Sequence, residues 1–197
     1  MNVVVAAVDP EGRIVGSMTQ SGDIPWAPSS SGPADYELLS RIDLKPGRYE
    51  IRVASDVTNG PRGSVYGFVE VPDFSKDDLV LSGVALQVSP AMMSGPKGAL
   101  DDLLPIVPTA RREFLTTDAV TAFLRVYRNG QTPPPGVTAR ILDSTGQVVF
   151  DDHHTSPVAD YQIDLPVDRL QAGEYLLEFT AASGERTATR GVRFNVR

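Results

Sequence analysis

Apolar and polar residues alternate along several short stretches of this chain, as they do in strands that bury one face. Residues Tyr49–Val53 read YEIRV, so that every second side chain is apolar. Segments rich in proline and serine separate these stretches, as in Ile24–Pro33. The alternation predicts antiparallel strands, and the count of about 12 strands favours an all-β protein built of sandwiches over a parallel sheet.

The strand pattern occurs twice along the chain. Each copy begins with a strand, a four-residue turn that opens on aspartate, and a second strand; each later has a glycine turn followed by a tyrosine. The matched segments, in one order, are Val3–Val15 with Val137–Val149, Ala34–Tyr36 with Ala159–Tyr161, Leu44–Val53 with Leu170–Phe179, and Val65–Val71 with Gly191–Val196. We therefore predict two tandem immunoglobulin-like or fibronectin-like β-sandwich units, at residues 1–74 and 75–197.

The two copies are not equally complete. Ahead of its matched region the second copy has the strand-like segments Leu79–Val88, Arg112–Phe114 and Ala119–Arg128, whereas the first copy starts directly at Val3. We expect the first unit to be incomplete at its N-terminus. Either the chain is a fragment without the leading strands, or the first unit is completed by a partner or by the segment around Leu79. Incompleteness predicts an unpaired strand edge near the N-terminus, suited to strand addition.

Composition narrows the classes of partner. The formal net charge of −7 comes from scattered acidic residues, which disfavours binding to nucleic acid. The chain has no cysteine, so disulfides and thiolate metal sites are excluded. Its first residues, MNVVVAAVDPEGR, lack the basic start and cleavage pattern of a signal peptide, and no segment has the roughly 20 apolar residues of a membrane span.

The densest cluster of potential ligands is Asp151-Asp152-His153-His154, which contains both histidines of the chain. Two imidazoles and two carboxylates could hold a divalent metal ion and support hydrolysis. Neighbouring residues on a strand point to opposite faces, however, so the four side chains cannot converge without a loop. The alternative interpretation is a solvated hairpin end, and it is the one we favour.

Other motifs of catalysis are missing from the sequence. There is no Gly-x-Ser-x-Gly elbow, His-Glu-x-x-His helix, phosphate loop or dinucleotide glycine pattern. Arg111-Arg112 could clamp a carboxylate or phosphate, although such a pair more often forms ion pairs within the fold or to the neighbouring domain. We therefore expect neither catalytic activity nor a cofactor.

The aromatic residues outside the alternating pattern suggest a second kind of site. Trp26 lies in a proline-rich loop and could stack on a sugar together with Tyr36 or Tyr66. A lone tryptophan more commonly closes the end of a sandwich core. Tyr49 and Tyr175, at matched positions after a glycine, favour a structural role like the tyrosine corner of sandwich domains.

Several segments together resemble the C-terminal β-rich region of bacterial von Willebrand factor type A-related proteins, of the kind abundant in Acidobacteria. These segments are Leu44–Val53, Gly63–Tyr66, Val69–Ser75, Leu81–Gly83 and Pro108–Phe114. The resemblance implies an extracytoplasmic, non-catalytic module at the end of a larger exported protein. It brings no site residues, because the metal-ion motif Asp-x-Ser-x-Ser of the A domain does not occur in this chain.

The leading hypothesis is therefore a non-catalytic interaction or spacer module whose partner is another protein or other domains of the same polypeptide. The alternatives are a carbohydrate-binding module that uses the loop aromatics and a divalent-metal hydrolase at the Asp151–His154 cluster.

Overall fold

A computed structural model describes residues 1–23, 36–91, 93–129, 135–154 and 159–197. It divides the chain into two units: Met1–Asp73 with Ser94–Leu100, and Phe74–Met93 with Asp101–Arg197. The units are thus not two uninterrupted stretches of chain, as a single boundary after residue 74 would require. The described residues contain no helix long and apolar enough to cross a membrane.

The first unit is built around one antiparallel sheet. Its strands are β1 (Asn2–Val8), β2 (Ile14–Ser21), β3 (Tyr36–Leu38), β4 (Gly47–Asp56) and β5 (Arg62–Val71). The sheet has the order β2-β1-β4-β5, and β3 lies outside it. The first strand is therefore central and paired on both sides. Near the N-terminus, where we expected an unpaired edge, it is β2 that lies at the edge of the sheet.

The second unit is a complete two-sheet sandwich. Its strands are β6 (Leu79–Leu81), β7 (Ala85–Ser89), β9 (Glu113–Phe114), β10 (Ala119–Arg128), β11 (Gly136–Asp143), β12 (Val148–His154), β13 (Asp160–Leu165), β14 (Gly173–Ser183) and β15 (Arg186–Val196). The intervening strand β8 (Met93–Gly95) pairs with β3 of the first unit. In one sheet β10 pairs with β13, β6 and β7; the other has the order β12-β11-β14-β15-β9, with β9 parallel to β15. The all-β prediction is confirmed, and the only helix in the described chain is the three-residue 3₁₀ turn Val167–Arg169.

The predicted repeat is visible in the hydrogen bonds of the two matched hairpins. The amide of Asp9 donates to the carbonyl of Arg13, and that of Asp143 to the carbonyl of Gln147, both at 2.9 Å. Gly12 and Gly146 close the turns with φ of 82° and 84°, the left-handed region that favours glycine. Hydrogen bonds from the turn, chiefly from the Arg13 amide, lower the pKa of the Asp9 carboxyl.

The two matched tyrosines form the same corner. The hydroxyl of Tyr49 donates to the carbonyl of Lys45, and that of Tyr175 to the carbonyl of Gln171, each at 2.9 Å. Tyr175 is buried, whereas Tyr49 is half-buried. Their predicted structural role is confirmed by these bonds.

The burial difference predicts different costs for removing the two hydroxyl groups. We expect Tyr175→Phe to lower the free energy of unfolding by about 1 kcal/mol, because it removes the hydrogen bond of a buried side chain. Tyr49→Phe should cost less, since the hydrogen bond of Tyr49 is exposed to water. Urea denaturation of both variants checks this, and an equal or larger loss for Tyr49→Phe would contradict it.

The core of the protein lies between the two sheets of the second unit. It includes Phe114, Phe179 and Leu177, each 0% exposed. The counterparts of the last two on β4, Val53 and Ile51, are only half-buried. In the described chain the first unit has no counterparts of β6, β7 and β10, which belong to the opposing sheet of the second unit.

Part of the missing cover comes from an unexpected segment. Leu79–Leu81 pairs with β10 inside the second unit, so it does not complete the first. Instead, β8 pairs with β3, and the amide of Leu39 donates to the carbonyl of Gly95 at 2.7 Å. In the second unit the matched strand β13 pairs with the ten-residue β10, so the first unit has a much shorter substitute.

Candidate functional site

The most unusual surface in the described chain is the open side of β5, which we call the β5 edge. β5 is the last strand of its sheet, and every residue from Arg62 to Glu70 is exposed. Four of them are large and apolar: Val65, Tyr66, Phe68 and Val69 are 65%, 67%, 80% and 40% exposed. Long apolar edges of this kind are sites where another strand can add.

In the matched strand β15, the C-terminal end has a partner strand on its outer side. Phe194 and Val196 at this end are each 2% exposed and belong to the core between the sheets. β9 pairs with the end of β15, where the amide of Asn195 donates to the carbonyl of Arg112 at 2.7 Å. The structure describes no strand in this place beside β5.

The backbone groups of the β5 edge have a defined direction. The amide of Val57 donates to the carbonyl of Pro61 at 3.1 Å, so Pro61 faces β4. Pairing between the two strands then runs without a bulge from Asp56–Arg62 to Gly47–Val71. Because backbone groups alternate along a strand, the N–H and C=O groups of residues 62, 64, 66, 68 and 70 point away from β4.

The side chains of β5 form two different faces. One face carries Arg62, Ser64, Tyr66, Phe68 and Glu70, and the rings of Tyr66 and Phe68 meet edge to face at 6.1 Å. Exposed ion pairs to β4 lie at both ends: Arg62 with Asp56 at 3.1 Å and Glu70 with Arg48 at 3.5 Å.

The opposite face of β5 alternates glycine with valine, as Gly63, Val65, Gly67 and Val69. The strand contains no lysine and no proline, and its pairing has no bulge. Lysine, proline and β-bulges are the features that protect natural edge strands from pairing with another strand, so β5 lacks all three. Within the described chain, the β5 edge therefore presents backbone groups without a strand partner, between two surfaces that do not oppose association.

The structure separates the four side chains of the Asp151–His154 cluster into two pairs. Asp151 and His153 lie on one face of β12, where Asp151 contacts Arg140 at 3.3 Å and His153 contacts Thr138 at 2.7 Å. Asp152 and His154 are half-buried on the other face. The described residues contain no group of three acidic or histidine side chains placed to hold a metal ion.

Asp152 and His154 instead surround a buried tyrosine. Tyr161 is 3% exposed, and its hydroxyl donates to the carboxylate of Asp152 at 2.5 Å. Its ring packs edge to face against His154, with centroids 5.5 Å apart. Burial, together with this hydrogen bond, raises the pKa of Tyr161. The contacts give this half of the cluster a structural role.

The arginine pair is also occupied within the fold. Arg111 forms an ion pair with Asp118 at 3.0 Å, and its guanidinium lies 5.7 Å from the centre of the Phe114 ring. Arg112 donates to the carbonyl oxygens of Thr109 and Arg111. The interpretation of an internal ion pair is confirmed for Arg111.

The aromatic residues proposed for sugar binding do not form one platform. Tyr36 lines a cavity with Val3, Gln20 and Gly95, on the side of the sheet that carries Val3 and Val5. Tyr66 pairs in register with Arg52, whose side chain is on the other side of the sheet from Val3 and Val5. Trp26 lies outside the described residues. Carbohydrate binding stays a prediction, without a shared surface for Tyr36 and Tyr66.

Sequence reasoning matched Val65–Val71 between the two copies but missed its role as an open edge. The signal was present in residues Val65–Val69, which read VYGFV and place apolar side chains on both faces of the strand. In a strand that is covered on one side only, one face would be polar.

No protein-family model and no curated protein matches the chain. Among solved structures it is similar to the BSP domain of a biofilm-associated protein, with 17% sequence identity, a TM-score of 0.35, and coverage of 100% of this chain and 25% of that one. It is also similar to a tetra-tandem repeat in the extending region of a large adhesion protein, with 16% identity, a TM-score of 0.35, and coverage of 100% and 42%.

A third solved structure is similar to part of the chain. It is CopC from Methylosinus trichosporium OB3b, with 23% identity, a TM-score of 0.31, and coverage of 45% of this chain and 84% of that one. The chain spans about a quarter of the length of the biofilm-associated protein. The resemblance to von Willebrand factor type A-related proteins stays a prediction.

Proposed function

We propose that this chain is a non-catalytic interaction and spacer module of a larger exported protein, and that it mediates contacts with proteins. The observation that carries the proposal is the β5 edge, with four large apolar side chains exposed on a strand whose outer side has no partner strand among the described residues. Strand addition at such an edge provides affinity through main-chain hydrogen bonds, and neighbouring side chains provide selectivity. The extracytoplasmic location follows from the sequence resemblance.

The tandem arrangement supports the spacer part of the proposal. A spacer can be built by repeating one structural unit, and it does not need residues for binding or catalysis. The polar clusters that the structure describes form hydrogen bonds and ion pairs within the fold, as at Asp152 and Arg111. The hydrolase hypothesis has no converging ligands at Asp151–His154 to support it.

The proposal is tested by measuring which proteins bind to the chain when it is immobilised on a solid support. An envelope extract of the source organism is passed over the unaltered chain and over a Phe68→Lys variant, and bound proteins are quantified by mass spectrometry. We expect proteins that the unaltered chain retains at least tenfold better than the variant, because a lysine on the edge opposes strand pairing.

The matched control is Val15→Lys on β2, the other edge of the same sheet, where the valine is 47% exposed. This variant should retain the same proteins as the unaltered chain. Retention of no protein, or equal loss in both variants, would count against the interaction role.

A further inference from the structure

We propose that the partner of the β5 edge is the β5 edge of a second copy of this chain. The two strands run antiparallel, with Tyr66 opposite Tyr66 on the two-fold axis, so that two four-stranded sheets become one sheet of eight strands. This inference rests on the proposed function and names the partner of that same surface. It follows from three independent features of β5: backbone direction, charge and side-chain size.

The backbone direction allows this register. Residues 62, 64, 66, 68 and 70 all turn their N–H and C=O groups outward. With Tyr66 opposite itself, Ser64 lies opposite Phe68 and Arg62 opposite Glu70 of the second copy. Every outward group then meets an outward group, as an antiparallel ladder requires. The uninterrupted pairing of β4 with β5 keeps the strand regular over its full length.

The charged side chains favour this register over registers that are shifted by two residues. Arg62 comes to lie opposite Glu70 of the second copy at both ends of the interface. Within each copy Arg62 already contacts Asp56, and Glu70 contacts Arg48. Across the four inner strands of the assembly the end row therefore reads Arg48, Glu70, Arg62 and Asp56, with alternating signs. A register shifted by two residues would place Arg62 opposite Phe68 or Pro72 instead.

Side-chain size on the other face is complementary as well. Val65 lies opposite Gly67 of the second copy, and Val69 lies opposite Gly63. Each exposed valine thus lies opposite a glycine of the second copy, so the valine side chains do not clash across the interface. On the first face the Tyr66 rings of both copies come together, which adds an aromatic cross-strand pair.

The first experiment reverses the charges. Sedimentation velocity over a range of protein concentrations should show a dimer for the full chain. Arg62→Glu places glutamate opposite Glu70, and Glu70→Arg places arginine opposite Arg62. Because the dimer is symmetric, each substitution brings like charges together at both ends of the interface. Each variant should therefore raise the dimer dissociation constant about tenfold or more.

Mixing the two variants provides the decisive comparison. In a mixed dimer the introduced glutamate of one copy faces the introduced arginine of the other, and the remaining Arg62 faces the remaining Glu70. Both rows again pair opposite charges, so association should return. Arg140→Glu is the matched control, because it also breaks an exposed cross-strand ion pair, that with Asp151 at 3.3 Å. It should leave the dimer unchanged. Circular dichroism verifies that every variant is folded.

The second experiment fixes the register. Because the chain has no cysteine, a single Tyr66→Cys substitution provides one thiol per copy. A thiol cross-linker about 5 Å long matches the spacing of directly opposite residues in an antiparallel pair. It should link Tyr66→Cys into a dimer but not Phe68→Cys, whose two thiols would be offset by about 13 Å along the strands.

The outcomes separate the dimer from the wider function. A monomeric chain that still retains an envelope protein through β5 would overturn the dimer and leave the interaction module standing. A monomer that retains nothing would overturn both. A dimer that Arg62→Glu does not weaken, that the mixture does not restore, or that cross-links equally at residue 68 would place the contact elsewhere and overturn the inference.

Discussion

Leu177→Ala is expected to lower the free energy of unfolding of the second unit by about 3 kcal/mol. Leu177 is 0% exposed between the two sheets, and truncation there removes apolar contacts and leaves a cavity. Hydrogen exchange measured by mass spectrometry reports the effect, because peptides from the second unit should lose their protection while those from the first unit keep theirs.

The matched control is Ile51→Ala at the equivalent position of β4. Ile51 is half-buried, and much of its face has no second sheet over it in the described chain. We expect a loss of about 1 kcal/mol, since less apolar area returns to water. An effect as large as that of Leu177→Ala would show that the face is fully covered in solution.

Asp152→Ala is expected to cost about 2 kcal/mol, because it removes the acceptor of the buried Tyr161 hydroxyl. Without this acceptor, the Tyr161 hydroxyl gives up its hydrogen bond to water on folding and gains no other in its place. Thermal or urea denaturation of the isolated variant measures the loss. Restoring the carboxylate one methylene further out, in Asp152→Glu, should recover part of it.

The adjacent residue supplies the control for this prediction. Asp151 points to the opposite face, in an ion pair with Arg140 in which both side chains are 50% exposed. Such pairs contribute little, so Asp151→Ala should change stability by less than about 0.5 kcal/mol. Equal costs at the two positions would contradict the division of the cluster between two faces of β12.

Local features of the fold were predictable from the sequence because they depend on neighbouring residues. The turns at Asp9 and Asp143 need a side-chain acceptor followed by a glycine, and both are visible in the sequence. The corner at Tyr175 likewise depends on residues four positions apart. The division of Asp151–His154 between two faces follows from the period of a strand.

Pairing partners were not predictable in the same way. Alternation identifies the face of a strand but not its neighbours, so the sequence does not reveal that β1 lies between β2 and β4. β8 is only three residues long and has no pattern that marks it as a partner of β3. The open edge at β5 is a property of the whole sheet: the residues Val65–Val69 show that both faces of the strand are apolar, but the strand order is needed to place β5 at the edge.

The assignment of Ser94–Leu100 to the first unit has a consequence for synthesis and truncation. Counted along the polypeptide, the chain leaves the first unit after Asp73, returns at Ser94 and leaves again after Leu100. On the ribosome the first unit is complete only when β6 and β7 have already emerged. A chain that stops at residue 74 therefore exposes β3 without its partner strand, and a chain that keeps the whole first unit has to extend to Leu100, past β6 and β7 of the second unit.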